Sequence, residues 1–182
     1  MTTAIIGVGQ VGSALARHLV RGGEHVVLAA RDGSHAALLT EELGPLATSA
    51  SVSQAIADAD TVVFAVWLDT LAALVAENAG LLPPEAHYVK AFGSLGAPSL
   101  AASTNRSPRR AVLFYATDDA QAVAAVERLI LAAGFDPVKV GGLEDVARIE
   151  MPGGDLHQGG GLKGALLDAD QARAAAAAAT VA

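Results

Sequence analysis

The sequence predicts an α/β fold with a doubly wound parallel sheet. Three observations carry this. Short apolar runs without polar alternation recur along the chain, a stretch of helical spacing follows most of them, and the first joint between the two is rich in glycine. Strands that are apolar on both faces belong to a parallel sheet covered on both sides. The alternation of strand and helix is that of βαβ units.

Ala4–Val8 reads as a buried strand bounded by glycine, and Val11–Arg21 as a helix with Val11, Leu15, Leu19 and Val20 on one face, ended by Gly22-Gly23. Val26–Ala30 is a second strand, and Ser34–Leu43 a helix stopped by Gly44-Pro45. Ser51, with Gln54 three residues on, starts a short capped helix to Ala59. Thr61–Val66 is again a fully apolar strand, Leu68–Ala79 a helix closed by Gly80 and Pro83-Pro84, and His87–Phe92 a strand followed by a loop to Pro98. Arg110–Tyr115 is a strand, Asp118 a candidate cap for a helix to Ala133, Val138–Val140 the last strand and Leu143–Ile149 a short helix. Two segments stand apart. Met151–Gly164 holds six glycines and reads as flexible, and Ala174–Ala179 is unbroken alanine, helical by propensity.

No composition shift or repeat marks a boundary, so residues 1–182 read as a single domain whose last part, 151–182, is a Gly-rich loop and helical C-terminal tail. Hydrophobic residues make up 52% and aromatics 4%, so Ala, Val and Leu build the core, and the apolar surplus predicts a homodimer. A net charge of −7 with no basic run argues against nucleic acid or an anionic membrane as partner. The absence of cysteine excludes disulfides, a thiolate metal site and a Cys nucleophile. No basic n-region stands at Met1-Thr2-Thr3, and no run approaches the roughly 18 apolar residues of a membrane span, so a cytoplasmic location is expected. His18, His25, His35, His87 and His157 show no metal-ligand spacing with a carboxylate, and no metal is expected.

Gly7-Val8-Gly9-Gln10-Val11-Gly12 is G-x-G-x-x-G between a strand and a helix, the context in which this pattern binds a dinucleotide. Gly7 permits the turn, Gly9 lets a pyrophosphate approach the backbone, and Gly12 lets the helix pack close to the strand. The helix N-terminus, at Gln10 and Val11, offers amides to the phosphates. The expected architecture is therefore Rossmann-type. Arg31 follows the second strand, where an arginine pairs with the 2′-phosphate of NADP, with Ser34 in reach. Asp32 is the competing candidate, as a ligand of the ribose hydroxyl of NAD.

With these residues placed, the chain resembles the NADP oxidoreductases dependent on the deazaflavin coenzyme F-420. The likeness rests on G-V-G-Q-V-G at 7–12, A-A-R-D at 29–32, F-A-V-W at 64–67, V-K-A-F-G-S-L-G at 89–96 and G-G-D-L-H-Q at 153–158, with Gly93 where relatives carry asparagine. The resemblance implies NADP as cofactor, coenzyme F-420 as co-substrate and hydride transfer between nicotinamide and deazaflavin. Such chemistry is carried by the cofactors, so no catalytic side chain is assigned. In an open parallel sheet the ligand lies beyond the carboxyl ends of the strands. That adds Val66, Trp67, Lys90, Ala91 and Phe92 to the cofactor site, and Phe92, Gly93, Ser94 and His157 to the site of a small-molecule electron acceptor. Trp67 reads equally well as a core or interface aromatic, Lys90 as a snorkelling edge residue, and His157 as part of a loop or dimer contact. Two other readings stand beside the oxidoreductase: a non-catalytic NADP(H) sensor, and an NADPH reductase of flavin, quinone or ferric complexes.

Overall fold

The computed structural model describes residues 1–81, 83, 85–150 and 153–178. Pro84, Met151, Pro152 and Ala179 fall outside this set, and with them the ends of the proline pair, the glycine segment and the alanine run. The chain packs as two compact units, Met1–Ala86 and His87–Ala182.

The first unit is a four-stranded parallel sheet. Strands β1 (Thr2–Ile6), β2 (His25–Ala29), β3 (Ala47–Ser49) and β4 (Thr61–Phe64) lie in the order β3-β2-β1-β4. Helices α1 (Gln10–Arg21), α2 (Gly33–Leu43) and α3 (Val52–Asp58) make the crossovers, and α4 (Leu68–Glu77) follows β4. In register, Ile6 pairs with Ala29 on one side and Phe64 on the other. Alternation sends Ala4, Ile6, Ala29, Val62 and Phe64 to one face, where Ala55 and Ile56 of α3 and Leu74 of α4 cover them. Ile5 and Leu28, paired with each other, point to the opposite face and are fully buried, while α1 and α2 pack on the strands. Ser51 caps α3 by accepting the Gln54 amide at 3.2 Å, as its spacing predicts.

The second unit contains α5 (Ala97–Ala102), β5 (Val112–Ala116), α6 (Val123–Ala132), β6 (Asp136–Gly141), a 3-10 turn over Leu143–Ile149 and α7 (Ala169–Ala177). Strands β5 and β6 form a parallel pair. One face carries Val112, Phe114, Ala116 and Val138, packed with Ile149, Leu156 and Ala172. On the other face Tyr115 donates its hydroxyl to Glu127 of α6 at 2.6 Å, and its burial with that carboxylate pushes the phenol pKa up.

Four expectations are corrected here. His87–Phe92 forms no strand: only Lys90 pairs, through one antiparallel bridge to Ala116, and the chain then turns left-handed at Phe92, φ +61°. Asp118 does not cap α6; its carboxylate accepts the Leu143 amide at 3.2 Å, while Asp119 closes the turn before the helix by accepting Gln121 N–H at 2.8 Å. The expected loop from Gly93 to Pro98 contains the start of α5, which Pro98 opens from the first turn. The glycine segment is a packed knot rather than a flexible loop. A Cβ on Gly154 would stand 2.5 Å from the carbonyl oxygens of both Arg148 and Glu150, and one on Gly161 would overlap the Asp155 carbonyl. The missing side chains serve close approach of backbone to backbone.

Helix α7 also finds its cover inside the chain. Ala172 is fully buried and Ala175 and Ala176 pack against the same core, so this helix gives no reason to invoke a second subunit. Its N-terminus carries a capping box of Asp168 and Gln171. Its last carbonyls meet Arg148, which donates to Ala176 O at 3.1 Å and Ala178 O at 3.2 Å while pairing with Asp155 at 2.9 Å. Replacing Arg148 by Ala should lower the stability of the protein by about 1.5–3 kcal/mol, the range for hydrogen bonds to a charged group. Urea unfolding checks this, and an unchanged midpoint would show that the clasp contributes nothing.

Candidate dinucleotide site

The site is built where β1 ends. The Gly7 amide still belongs to the ladder, donating to Ala29 O at 2.8 Å, and Ala65 N–H donates to Ile6 O at 2.8 Å on the other side. The order β3-β2-β1-β4 makes the gap between the carboxyl ends of β1 and β4 the point at which the chain changes direction across the sheet, the general ligand position in such sheets. From there the chain must turn at once into α1. Gly7 does so at φ +103°, and a Cβ on it would lie 2.5 Å from the Ala65 carbonyl oxygen. A Cβ on Gly12 would overlap the Gly7 carbonyl oxygen. Ser13 ties the loop down by donating its hydroxyl to Val8 O at 2.7 Å.

Gly9 is different. It is exposed, and nothing lies within 4 Å of where its Cβ would be. It is the N-cap of α1, has no side chain to satisfy the helix amides, and no acidic residue stands in the first turn. The first turn, with Gln10 and Val11, thus presents amides and a partial positive charge to open space. These features fit a pyrophosphate: crowded glycines where the protein needs them, and an open one where a ligand would approach.

Beyond β2 the chain places Arg31 exposed, and among the described residues it forms no ion pair. Asp32 is the N-cap of α2. Its Oδ1 accepts the Ser34 hydroxyl at 2.7 Å and the Ser34 amide at 3.0 Å, and these bonds hold the carboxyl below the usual carboxylate range. Asp32 therefore has a structural role, and the Ser34 hydroxyl is committed to it. The D-G-S order ahead of the helix is the signal in the sequence that could have revealed this cap. Val66 is half-buried and stands against Gly7, and Trp67 is 85% exposed at the start of α4. Ala65 and Ser13 are the contributors that motif reading missed; both are small residues whose part is played by contacts with the loop.

The remaining candidates lie in the second unit. The Lys90 ammonium is paired with Glu150. Ala91 is half-buried, Phe92 is 6% exposed in its left-handed conformation, and Gly93 stands over the Lys90 side chain. Ser94 is buried and its hydroxyl accepts the Phe114 amide at 3.2 Å. His157 is 7% exposed, and its Nδ1 accepts Gly159 N–H at 3.0 Å. That bond puts the proton of the neutral ring on Nε2. Gln158 links the two stretches, donating its amide to Ser94 O at 2.9 Å and accepting from Gly96 N at 3.1 Å. The structure thus gives the polar groups of Ser94 and His157 main-chain partners within their own unit. Among the described residues no group of His, Asp and Glu could hold a metal ion, and no helix is long and apolar enough to cross a membrane.

Fold and loop together define a Rossmann-type unit, with a glycine loop whose geometry fits a dinucleotide. The resemblance read from the motifs holds over residues 2–85, which match the model of the family described as NADP oxidoreductase, coenzyme F420-dependent. Solved structures share the fold across most of the chain. A hypothetical protein from Sinorhizobium meliloti is 24% identical with a TM-score of 0.66, over 83% of this chain and 90% of that one. A protein described as a candidate F420-dependent NADP-reductase from Arthrobacter sp. FB24 is 22% identical with a TM-score of 0.67, over 80% and 87%. A reductive aminase from Aspergillus terreus, solved with NADPH and ethyl-5-oxohexanoate, is 20% identical with a TM-score of 0.57, and the match covers 78% of this chain but 55% of that one. No curated protein matches the chain.

Two outcomes follow. Gly9→Val should leave the melting temperature within about 2 °C of the wild type, as for a surface change, and abolish dinucleotide binding; Gly12→Val should lose both. Calorimetry beside a binding titration separates them, and a Gly9→Val protein that binds normally would place the ligand elsewhere. The second concerns His157, whose pKa is pushed down by burial, with the backbone at Gly93 opposing in part. A depressed folded pKa means that stability is complete above the ordinary histidine value of about 6.5 and falls as the pH drops below it. Thermal melts from pH 7.5 to 5 should show this decline, and His157→Asn should flatten it.

Proposed function

We propose that the chain binds NADP(H) at the Gly7–Gly12 loop and is an oxidoreductase that passes a hydride between NADP(H) and a flat, deazaflavin-like acceptor. The observation that carries the cofactor is the division of labour after β2: Asp32 caps α2 through its Oδ1, and Arg31 next to it is exposed and forms no ion pair among the described residues. A guanidinium suits a 2′-phosphate and gives NAD nothing comparable. The family matched over residues 2–85 and the NADPH held by the reductive aminase support the same choice.

When bound, NADPH would supply a hydride from its nicotinamide C4, and a solvent proton would complete reduction of the acceptor. What the protein contributes is placement. The α1 amides and Arg31 fix the phosphates, and the carboxyl ends of β1 and β4 set where the nicotinamide points. The deazaflavin acceptor is the reading favoured by the family and by the likeness to the candidate F420-dependent NADP-reductase.

Titration of NADPH and NADH against wild type and Arg31→Ala tests the cofactor. Wild type should prefer NADPH, and the variant should lose about 10–150-fold of that affinity while NADH binding changes little. Equal affinities in the wild type would overturn the assignment and return Asp32 to the ribose.

A further inference from the structure

Trp67 breaks two local rules at one position. It is the N-cap of α4, where Ser, Thr, Asp or Asn would satisfy a helix amide, and its side chain makes no capping bond. It is also the chain's one tryptophan, in a sequence with 4% aromatics, and it leaves its indole 85% exposed. A lone exposed apolar side chain needs no explanation. One that also displaces a helix cap, at the carboxyl end of the sheet, does: departures from local consistency concentrate at functional positions.

The backbone holds this residue firmly. Trp67 is extended, φ −65° and ψ 150°, and its carbonyl accepts Thr70 N–H at 3.0 Å and Leu71 N–H at 3.1 Å. Two residues earlier the Ala65 carbonyl bears on Gly7 of the dinucleotide loop, with Val66 between. The indole is thus an exposed aromatic plane carried on a fixed stretch of backbone, on the strand end that flanks the Gly7–Gly12 loop.

We infer that Trp67, expected from the sequence in the cofactor site, instead forms the stacking surface for the flat electron acceptor. This rests on the functional reading above and goes further by assigning the residue that selects the acceptor. An indole face offers a broad, electron-rich plane to a flat polycycle, for which stacking strength grows with overlap. A keto acid, an imine or a single small ring offers little area to the same plane. Trp67 therefore discriminates between fused-ring acceptors and small carbonyl or imine substrates.

The single tryptophan makes the test direct, with riboflavin 5′-phosphate as the probe. Apo protein should emit as a water-exposed indole. Under NADP⁺, where no turnover occurs, riboflavin 5′-phosphate should quench that emission saturably and cyclohexanone should not. In steady-state NADPH oxidation, Trp67→Ala should raise the KM for the flavin about tenfold or more, the scale of lost base–aromatic stacking. Its NADPH affinity should stay within about twofold of wild type, the margin of a surface change, and Trp67→Phe should restore most of the loss in KM. An unchanged quench and KM, a loss confined to NADPH affinity, or apo emission typical of a buried indole would each overturn the inference. The last would mean that another copy of the chain covers Trp67. A wild type that binds NADPH yet fails these arms defeats this inference alone, whereas one that binds no NADPH defeats the functional reading and this inference with it.

Discussion

The first unit depends on one crowded contact, the meeting of Gly7, Gly12 and the Ala65 carbonyl. A parallel sheet must carry the chain from each strand end back across a face, and here the return starts without a spacer. The first helical turn lies directly on the strand end because two residues have no Cβ. A side chain at either would push α1 away from the sheet and lift its amides off the axis on which a phosphate could meet them. Gly9, between them, has no packing duty. Its openness is the complement of its neighbours' crowding.

The second unit solves a different problem with different means. Its two strands, β5 and β6, provide a short ladder, so much of its backbone must find partners outside a sheet. The glycine knot, Gln158, His157 and Arg148 supply some of them: Gln158 accepts the Gly96 amide and donates to the Gly164 carbonyl, His157 accepts the Gly159 amide, and Arg148 donates to the carbonyls of Ala176 and Ala178. The apolar core beneath is mainly aliphatic, with Phe114 as its one aromatic among the described buried residues, and Ala172, Ala175 and Ala176 of the alanine-rich helix pack on it.

Sequence reading succeeded where the determining interactions are local. The loop at 7–12, the Ser51 cap and strands β1, β2 and β4 follow from glycine spacing, capping chemistry and unbroken apolar runs, all within a few residues, whereas the short polar edge strand β3 carries no such signal. It failed where the decision is made at a distance. His87–Phe92 has a strand's composition, yet whether a segment pairs depends on what its neighbours present, and β5 takes only Lys90 of it, through a single bridge to Ala116. The glycines at 154, 160 and 161 misled for another reason. Glycine in a sequence stands equally for freedom and for close approach, and only the neighbouring carbonyls show which applies. Asp32 stands in the sequence as the competing ribose ligand, and its place before G-S is also the pattern of the helix cap that it forms.

The arrangement of strands along the chain has a consequence for synthesis. All four strands of the first sheet lie between Thr2 and Phe64; one helix joins β1 to β2 and another β2 to β3, and two strands with three helices lie between β1 and β4. The core of the second unit gathers residues from Val112 to Ala176. A nascent chain emerging amino end first thus has every partner of β1 in hand while β5 is still unmade. Because compact units tend to form in the order of their emergence, the glycine turn acquires its shape before the second core has any of its members. The part of the molecule that carries the candidate site is also the part that the order of translation favours first.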